Sequence, residues 1–155
     1  MNLSSIEYAN LLAWLAMVKH GVQLGKTQLQ KLLFIFYGLS LAKLDKIPFE
    51  DDTPKAFPFG PVFPRSYKRY FGTPRDLTQA DKDSFMACPD VLRIATSVVD
   101  EFCKYSAMRL SEWSHREGAP WKNAVYRDGK PAWGREISLD DIREFFKRSN
   151  WRLGL

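Results

Sequence analysis

A chain of 155 residues is long enough to bury one sizeable core and reads as one domain spanning residues 1–155. Apolar and charged fractions of 45% and 26% are those of an ordinary soluble globular protein, and a net charge of +5 gives weak polyanion affinity without defining a nucleic-acid function. Two cysteines, Cys88 and Cys103, exclude a disulfide scaffold, and no Cys/His spacing suggests a metal site. With neither a signal-peptide pattern nor an apolar run of spanning length, the expectation is a cytoplasmic protein with reduced thiols, no membrane contact and no cofactor.

Ser4-Ser5-Ile6-Glu7 is a capping-box sequence, with Ser4 as N-cap and Glu7 three positions on. It opens a helix to about His20 that stops at Gly21. Tyr8, Leu11, Leu12, Leu15 and Val18 share one side, and alanines and Met17 cover much of the rest, so most of its surface should be buried. Thr27-Gln28-Leu29-Gln30 reads as a second capping box. The helix behind it carries Leu29, Leu32, Leu33, Phe36, Ser40 and Leu44 at helical spacing, with Phe34, Ile35, Leu39 and Leu41 on a second apolar face. This is the expected central helix of the core, ended by Pro48.

From Ile47 to Pro64 the helical period vanishes. Asp51-Asp52-Thr53-Pro54 is turn chemistry. Residues 56–64 are apolar yet hold three prolines, which cannot donate ladder hydrogen bonds, so a central strand is excluded there and a short edge strand or extended loop is expected. Pro64 then starts a helix to about Tyr70. Thr78 caps a short helix to about Ala87, Pro89 starts a longer amphipathic one, and residues 108–115 and 120–126 form two short helices. Ser138 caps a last helix with Leu139, Ile142, Phe145 and Phe146 inward. The tail Trp151 to Leu155 has no periodicity; an interface arm, a degradation signal and a segment folded back on the core all fit it. The fold class is mainly α, a compact multi-helix domain with one short β element near residues 55–63.

Leu110 to Trp121 holds two tryptophans, His115, Gly118 and Pro120 within twelve positions. Gly118 suits the residue after a helix and Pro120 the first turn of the next, so Trp113 and Trp121 should flank a tight corner. Ser114, His115, Glu117 and Cys103 could be read as nucleophile, base and orienter. Neighbouring helical residues such as Ser114 and His115 point about 100° apart, however, and a nucleophile must meet its base within hydrogen-bond reach. A structural role for His115 and Glu117, tying off helix-end backbone groups, is the plainer reading. The stretch from Arg65 to Arg75 alternates Arg65, Lys68, Arg69 and Arg75 with Tyr67, Tyr70 and Phe71. That pattern fits nucleic-acid stacking, a solvated basic face or a protein interface. The phenylalanines of residues 57–64 either cover the core or dock a partner, on a backbone that the prolines pre-order.

Three stretches, in order, resemble the Panacea family, also called SocA-like antitoxin domains or phage-associated GepA-type proteins. The first is Thr27-Gln28-Leu29-Gln30-Lys31-Leu32-Leu33-Phe34 with Tyr37, similar to the family's T-x-LQKLLYF opening. The second is Pro48-Phe49-Glu50-Asp51 with Gly60-Pro61-Val62-Phe63-Pro64, similar to its acidic PF turn and GPV-x-P segment. The third is Leu110 to Trp121, similar to its SH-x-E…PW stretch. The resemblance implies a non-enzymatic antitoxin in a bacterial, prophage or phage-defence setting. Such a protein neutralises a protein toxin, encoded beside it, by direct binding, in some relatives by handing the toxin to a host protease. Direct nucleic-acid binding is not implied, and the oligomeric state is left open. Exposure arguments add the partner-contacting set Phe57, Phe59, Val62, Arg65, Tyr67, Arg69, Trp113, His115 and Trp121.

Overall fold

A computed structural model describes residues 2–149 and 151–155. Among the described residues the chain forms eight helices and one small sheet. In chain order these are α1 (Ser5–His20), α2 (Lys26–Leu44), β1 (Lys55–Phe57), β2 (Gly60–Val62), α3 (Pro64–Arg69), α4 (Gln79–Met86), α5 (Pro89–Phe102), α6 (Ala107–Ser114), α7 (Pro120–Val125), β3 (Arg135–Glu136) and α8 (Leu139–Ser149). The mainly α class with a β element near 55–63 is therefore the observed one, with β3 an addition that no local pattern announced.

Helix α2 is the axis. Every residue from Leu29 to Leu41 is buried, polar Gln30, Lys31 and Ser40 included. It packs against α1, α5, α6, α8 and β2, so no face is left for water. Tyr37, Phe49 and Phe63 form a triangle of rings with centroids 5.2 to 5.3 Å apart. Helix α8 presses Phe146 against the backbone of Gly38; a methyl group there would collide with the ring, so glycine sets the helix spacing. Helix α5 buries Val91, Ile94, Ala95, Val98, Val99 and Phe102 along one stripe, the amphipathic face read from its sequence.

The Ser4–Glu7 capping box forms in both directions, with Glu7 N–H donating to Ser4 Oγ at 3.1 Å and Ser4 N–H to Glu7 Oε2 at 2.7 Å. The second box differs from expectation. The N-cap is two residues earlier, Gly25, whose N–H reaches Gln28 Oε1 at 3.3 Å. Gln30 is thereby freed from capping and turns inward. Asp51 and Asp52 also do more than make a turn. Asp51 Oδ1 accepts from Ser5 N–H at 2.8 Å, and Asp52 Oδ2 accepts from Arg65 N–H at 3.0 Å and Ser66 N–H at 3.2 Å. One acidic pair thus caps the N-termini of two separate helices. Burial raises the Asp52 carboxyl above its ordinary range, against the pull of these hydrogen bonds.

The proline-rich segment folds as a hairpin. β1 pairs antiparallel with β2 in the register Lys55–Val62, Ala56–Pro61 and Phe57–Gly60, and with β3 on its other side. The sheet order is β2-β1-β3, so the segment does supply a central strand, a correction to the reading above. The physical rule survives: that strand, Lys55-Ala56-Phe57, contains no proline. Pro58 lies in the two-residue turn and Pro61 on the edge strand.

Two further expectations are corrected, and of the three readings of the tail the folded-back one is observed. Val18 and Leu139 lie on the solvent side of their helices, at 54% and 42% exposure, because α1 and α8 each have one neighbour-free flank there. Helix α6 ends at Ser114 with His115 as its cap, so Gly118, at φ +80°, belongs to the connector and not to the helix end. The tail folds back: Leu153 is buried, Trp151 stacks on Phe102, and the Arg116 guanidinium donates to the carbonyls of Leu153 and Gly154 at 3.0 and 2.6 Å.

Candidate partner-binding groove

The β1–β2 hairpin is braced from three sides. From α2, the Gln30 amide accepts from Phe63 N–H at 2.7 Å and donates to Ser66 Oγ at 3.0 Å, fixing the step from strand to α3. Also from α2, the Lys31 ammonium donates to the Pro61 carbonyl at 3.0 Å. From the α6–α7 corner, Ser111 Oγ donates to the Phe59 carbonyl at 2.9 Å and Trp121 Nε1–H to the Phe57 carbonyl at 2.7 Å. Side chains therefore satisfy the carbonyls of three of the five residues from Phe57 to Pro61.

Gly60 is the tightest point. Its φ of +115° is closed to other residues without strain, and a Cβ there would fall 2.5 Å from Lys31 Cε and 2.7 Å from Ser114 Oγ. The hairpin consequently lies flat on α2 and α6, turning one face inward and one outward. Phe63 is fully buried, whereas Phe59 at the turn is 71% exposed and Phe57 sits on the rim.

The outward face lines a groove of about 410 Å³ between hairpin, α2 and α3, bounded by Thr27, Lys31, Phe57, Pro58, Phe59, Val62, Pro64, Tyr67 and Lys68. Four of the residues expected to contact a partner, Phe57, Phe59, Val62 and Tyr67, meet there. Arg65 stands outside it, its guanidinium 3.3 Å from the Asp51 carboxylate. Arg69 turns to the opposite side of α3, where it lines a more polar hollow with Asn10, Tyr70 and Arg75. The two sides of a six-residue helix are thus chemically different, and the basic aromatic stretch from Arg65 to Arg75 is split between them.

The three corner residues lie elsewhere. Trp113, at 2% exposure, packs on Phe145 and Phe146 in the core and presents no surface. Trp121 is buried behind the hairpin. His115 stacks on it with centroids 3.7 Å apart and planes 12° apart. His115 and Glu117 do not tie off helix-end backbone groups, a correction to the reading from sequence: Glu117 extends to Lys122 at 2.7 Å, and His115 Nε2 is buried without a hydrogen-bond partner among the described residues. Nor do Ser114 and His115 pair: the Ser114 hydroxyl donates to the Ser111 carbonyl at 2.8 Å. Burial, then the nearby Lys31 and Lys122 charges, hold the His115 imidazole below its ordinary pKa.

Lys31 escaped notice in the sequence as a functional residue. It sits on the groove floor, fully buried, and burial alone drives its pKa down to about 7. The missed signal was positional. In a helix apolar on all sides, a lysine between Leu29 and Leu32 has no solvated face to occupy.

Among the described residues no cluster of His, Cys, Asp and Glu could hold a metal ion, and no helix is long and apolar enough to cross a membrane. The described residues form a helical body that carries a braced aromatic hairpin over an open apolar groove. The family model described as antitoxin SocA-like, Panacea domain, matches residues 29–122, a span running from the axial helix through the hairpin to the corner. The chain belongs to this family. No curated protein and no solved structure matches it.

Proposed function

We propose that this protein, acting as one domain over residues 1–155 in the cytoplasm, is an antitoxin that neutralises a protein toxin by direct binding, without enzyme chemistry or cofactor. The family membership supports the role. The observation that carries the mechanism is the open groove beside Phe59, whose apolar wall is rigidly braced to the core. Burial of exposed aromatic side chains in a pre-ordered surface is an efficient source of binding energy, because little conformational entropy remains to be lost. Phe57, Phe59, Val62 and Tyr67 would make the contact, with Arg65 and Arg69 at its edges. Trp113, His115 and Trp121 would act indirectly, by holding the hairpin in place. The non-enzymatic reading is supported by the disposition of Ser114 and His115: the Ser114 hydroxyl donates to the Ser111 carbonyl, while the His115 ring stacks on Trp121 with its Nε2 buried and without a hydrogen-bond partner among the described residues, so the two cannot exchange a proton as placed.

Expression of the adjacent open reading frame in a bacterial host, alone and with this protein, tests the proposal. Toxicity alone, rescue together and a stable complex on co-purification are expected. Rescue accompanied by disappearance of the toxin, with no lasting complex, would instead indicate delivery to a host protease. Absence of rescue would overturn the antitoxin reading.

A further inference from the structure

The groove has a charge character that its apolar lining conceals. Lys68 stands on its wall and Lys31 on its floor, and no carboxylate lines it. Just beyond, Lys26 holds its ammonium 4.1 Å from the centroid of the Tyr67 ring and 5.5 Å from that of Phe71. Among the described residues, none of these three lysines has a carboxylate within ion-pair distance. The nearby Asp51 is already engaged with Arg65. Two ammonium groups, Lys26 and Lys68, joined by Lys31 whenever it is protonated, surround an uncompensated apolar hollow and produce a local positive potential, concentrated by the low-dielectric walls.

Lys31 adds to this from beneath. Among the described residues its one hydrogen-bond partner is the neutral Pro61 carbonyl, which there leaves two N–H groups of the ammonium without an acceptor. The cover over it is Gly60, with no side chain to thicken the layer. A carboxylate arriving above the hairpin would raise the Lys31 pKa from about 7 and draw the residue into its charged form. Phe59 on the groove wall and Phe71 beside Lys26, at 71% and 83% exposure, favour an apolar neighbour.

From this complementarity we infer that the groove receives an acidic, apolar segment of the partner toxin: a large apolar side chain enters between Phe57, Phe59 and Tyr67, flanked by an aspartate or glutamate that pairs with Lys68 and lies over Lys31. The inference rests on the antitoxin reading. A protein segment fits better than a nucleic acid because the Tyr67 ring already carries Lys26 and the Arg65 charge is already neutralised by Asp51, so neither is free for a base or a phosphate.

Carbodiimide treatment of the purified complex tests it, since that reagent joins a carboxylate to an amine only where the two are in contact. A cross-link between a toxin aspartate or glutamate and Lys68, identified by mass spectrometry, is the expected result. Lys68→Arg should keep the affinity and abolish that link, and Lys68→Glu should weaken the dissociation constant at least tenfold. Lys147→Glu on the distant helix α8 should leave affinity unchanged. A stable complex with no carboxylate linked to Lys68 or Lys26, and unaltered affinity in Lys68→Glu, would overturn the inference while leaving the antitoxin reading intact. Failure to co-purify any complex is the separate failure of that reading. Binding of a single-stranded RNA probe that Lys68→Glu abolishes would assign the groove to nucleic acid and likewise overturn the inference.

Discussion

The hairpin and the α6–α7 corner are both short, aromatic-rich stretches punctuated by proline and glycine, yet they treat their rings in opposite ways. At the corner, Trp113 and Trp121 turn inward, one onto Phe145 and Phe146, the other behind the hairpin with His115 stacked on it. At the hairpin, Phe63 goes in while Phe57 and Phe59 stay out. The difference lies in what each backbone offers. A helix can present one face to a neighbouring helix, and α8 supplies that neighbour for Trp113. A two-residue turn has no second face, and once its carbonyls are fastened to Ser111 and Trp121 its Phe59 side chain has only solvent before it. The corner is therefore the support, and the hairpin the surface supported.

Mutations can sharpen or break that division. Trp113→Ala should be the most damaging, removing a large buried ring and leaving a cavity, at about 3–5 kcal/mol of stability read by denaturant melts. If it left stability unchanged but cost toxin binding, the corner would be surface after all.

Lys31→Met should have the opposite sign, stabilising the fold at neutral pH by a net of about 1–3 kcal/mol, because relief from desolvating an unpaired cation exceeds the cost of leaving the Pro61 carbonyl without its donor. The sign with pH follows from the same burial. The folded-state pKa of about 7 lies below the unfolded value, so between these the unfolded chain binds more protons and stability rises with pH. In the wild type the rise should approach about 1.4 kcal/mol per pH unit from pH 7 to 8, a window below the unfolded pKa of Cys103, whose thiol burial pushes up in the fold, and below those of Tyr8 and Tyr37, raised in the fold to about 12. The Lys31→Met variant should lose that slope, as thermal melts across the range would reveal.

Trp121→Phe keeps an aromatic ring but removes the five-membered half of the indole, and with it the hydrogen bond to the Phe57 carbonyl and some buried volume. A loss of about 1 kcal/mol is expected, with weakened toxin affinity because the hairpin is less firmly held. Faster amide exchange at residues 57–60, measured by NMR or mass spectrometry, would show that the corner works through the hairpin. Phe59→Asp should change stability least, within about 0.5 kcal/mol, as the side chain makes little contact with the fold. It should nevertheless abolish toxin binding. Full rescue by this variant would detach the hairpin tip from the interface.

Much of the architecture was written locally. The Ser4–Glu7 box, the Thr78 and Ser138 caps, the proline starts of α3, α5 and α7, and the continuous apolar surface of α2 are signals carried within a few residues, and each element stands where they place it. The three ordered motifs that resembled the Panacea family lie largely within the span the family model matches. Local pattern also kept proline out of the central strand, although it did not foresee that Lys55-Ala56-Phe57 would be one.

Only the tertiary structure decided which side chains reach across the chain. Gln30 holds Phe63 and Ser66, Asp51 and Asp52 cap helices distant in sequence, β3 completes a sheet begun some eighty residues earlier, and Arg116 ties down the tail. The same holds for the groove: Lys31, Phe59 and Lys68 come together only when α2, the hairpin and α3 pack. Capping and periodicity are short-range and leave a mark at fixed spacing in the sequence. Burial, charge compensation and the facing of a ring depend on which distant surface arrives opposite, and that is determined when the chain closes on its core.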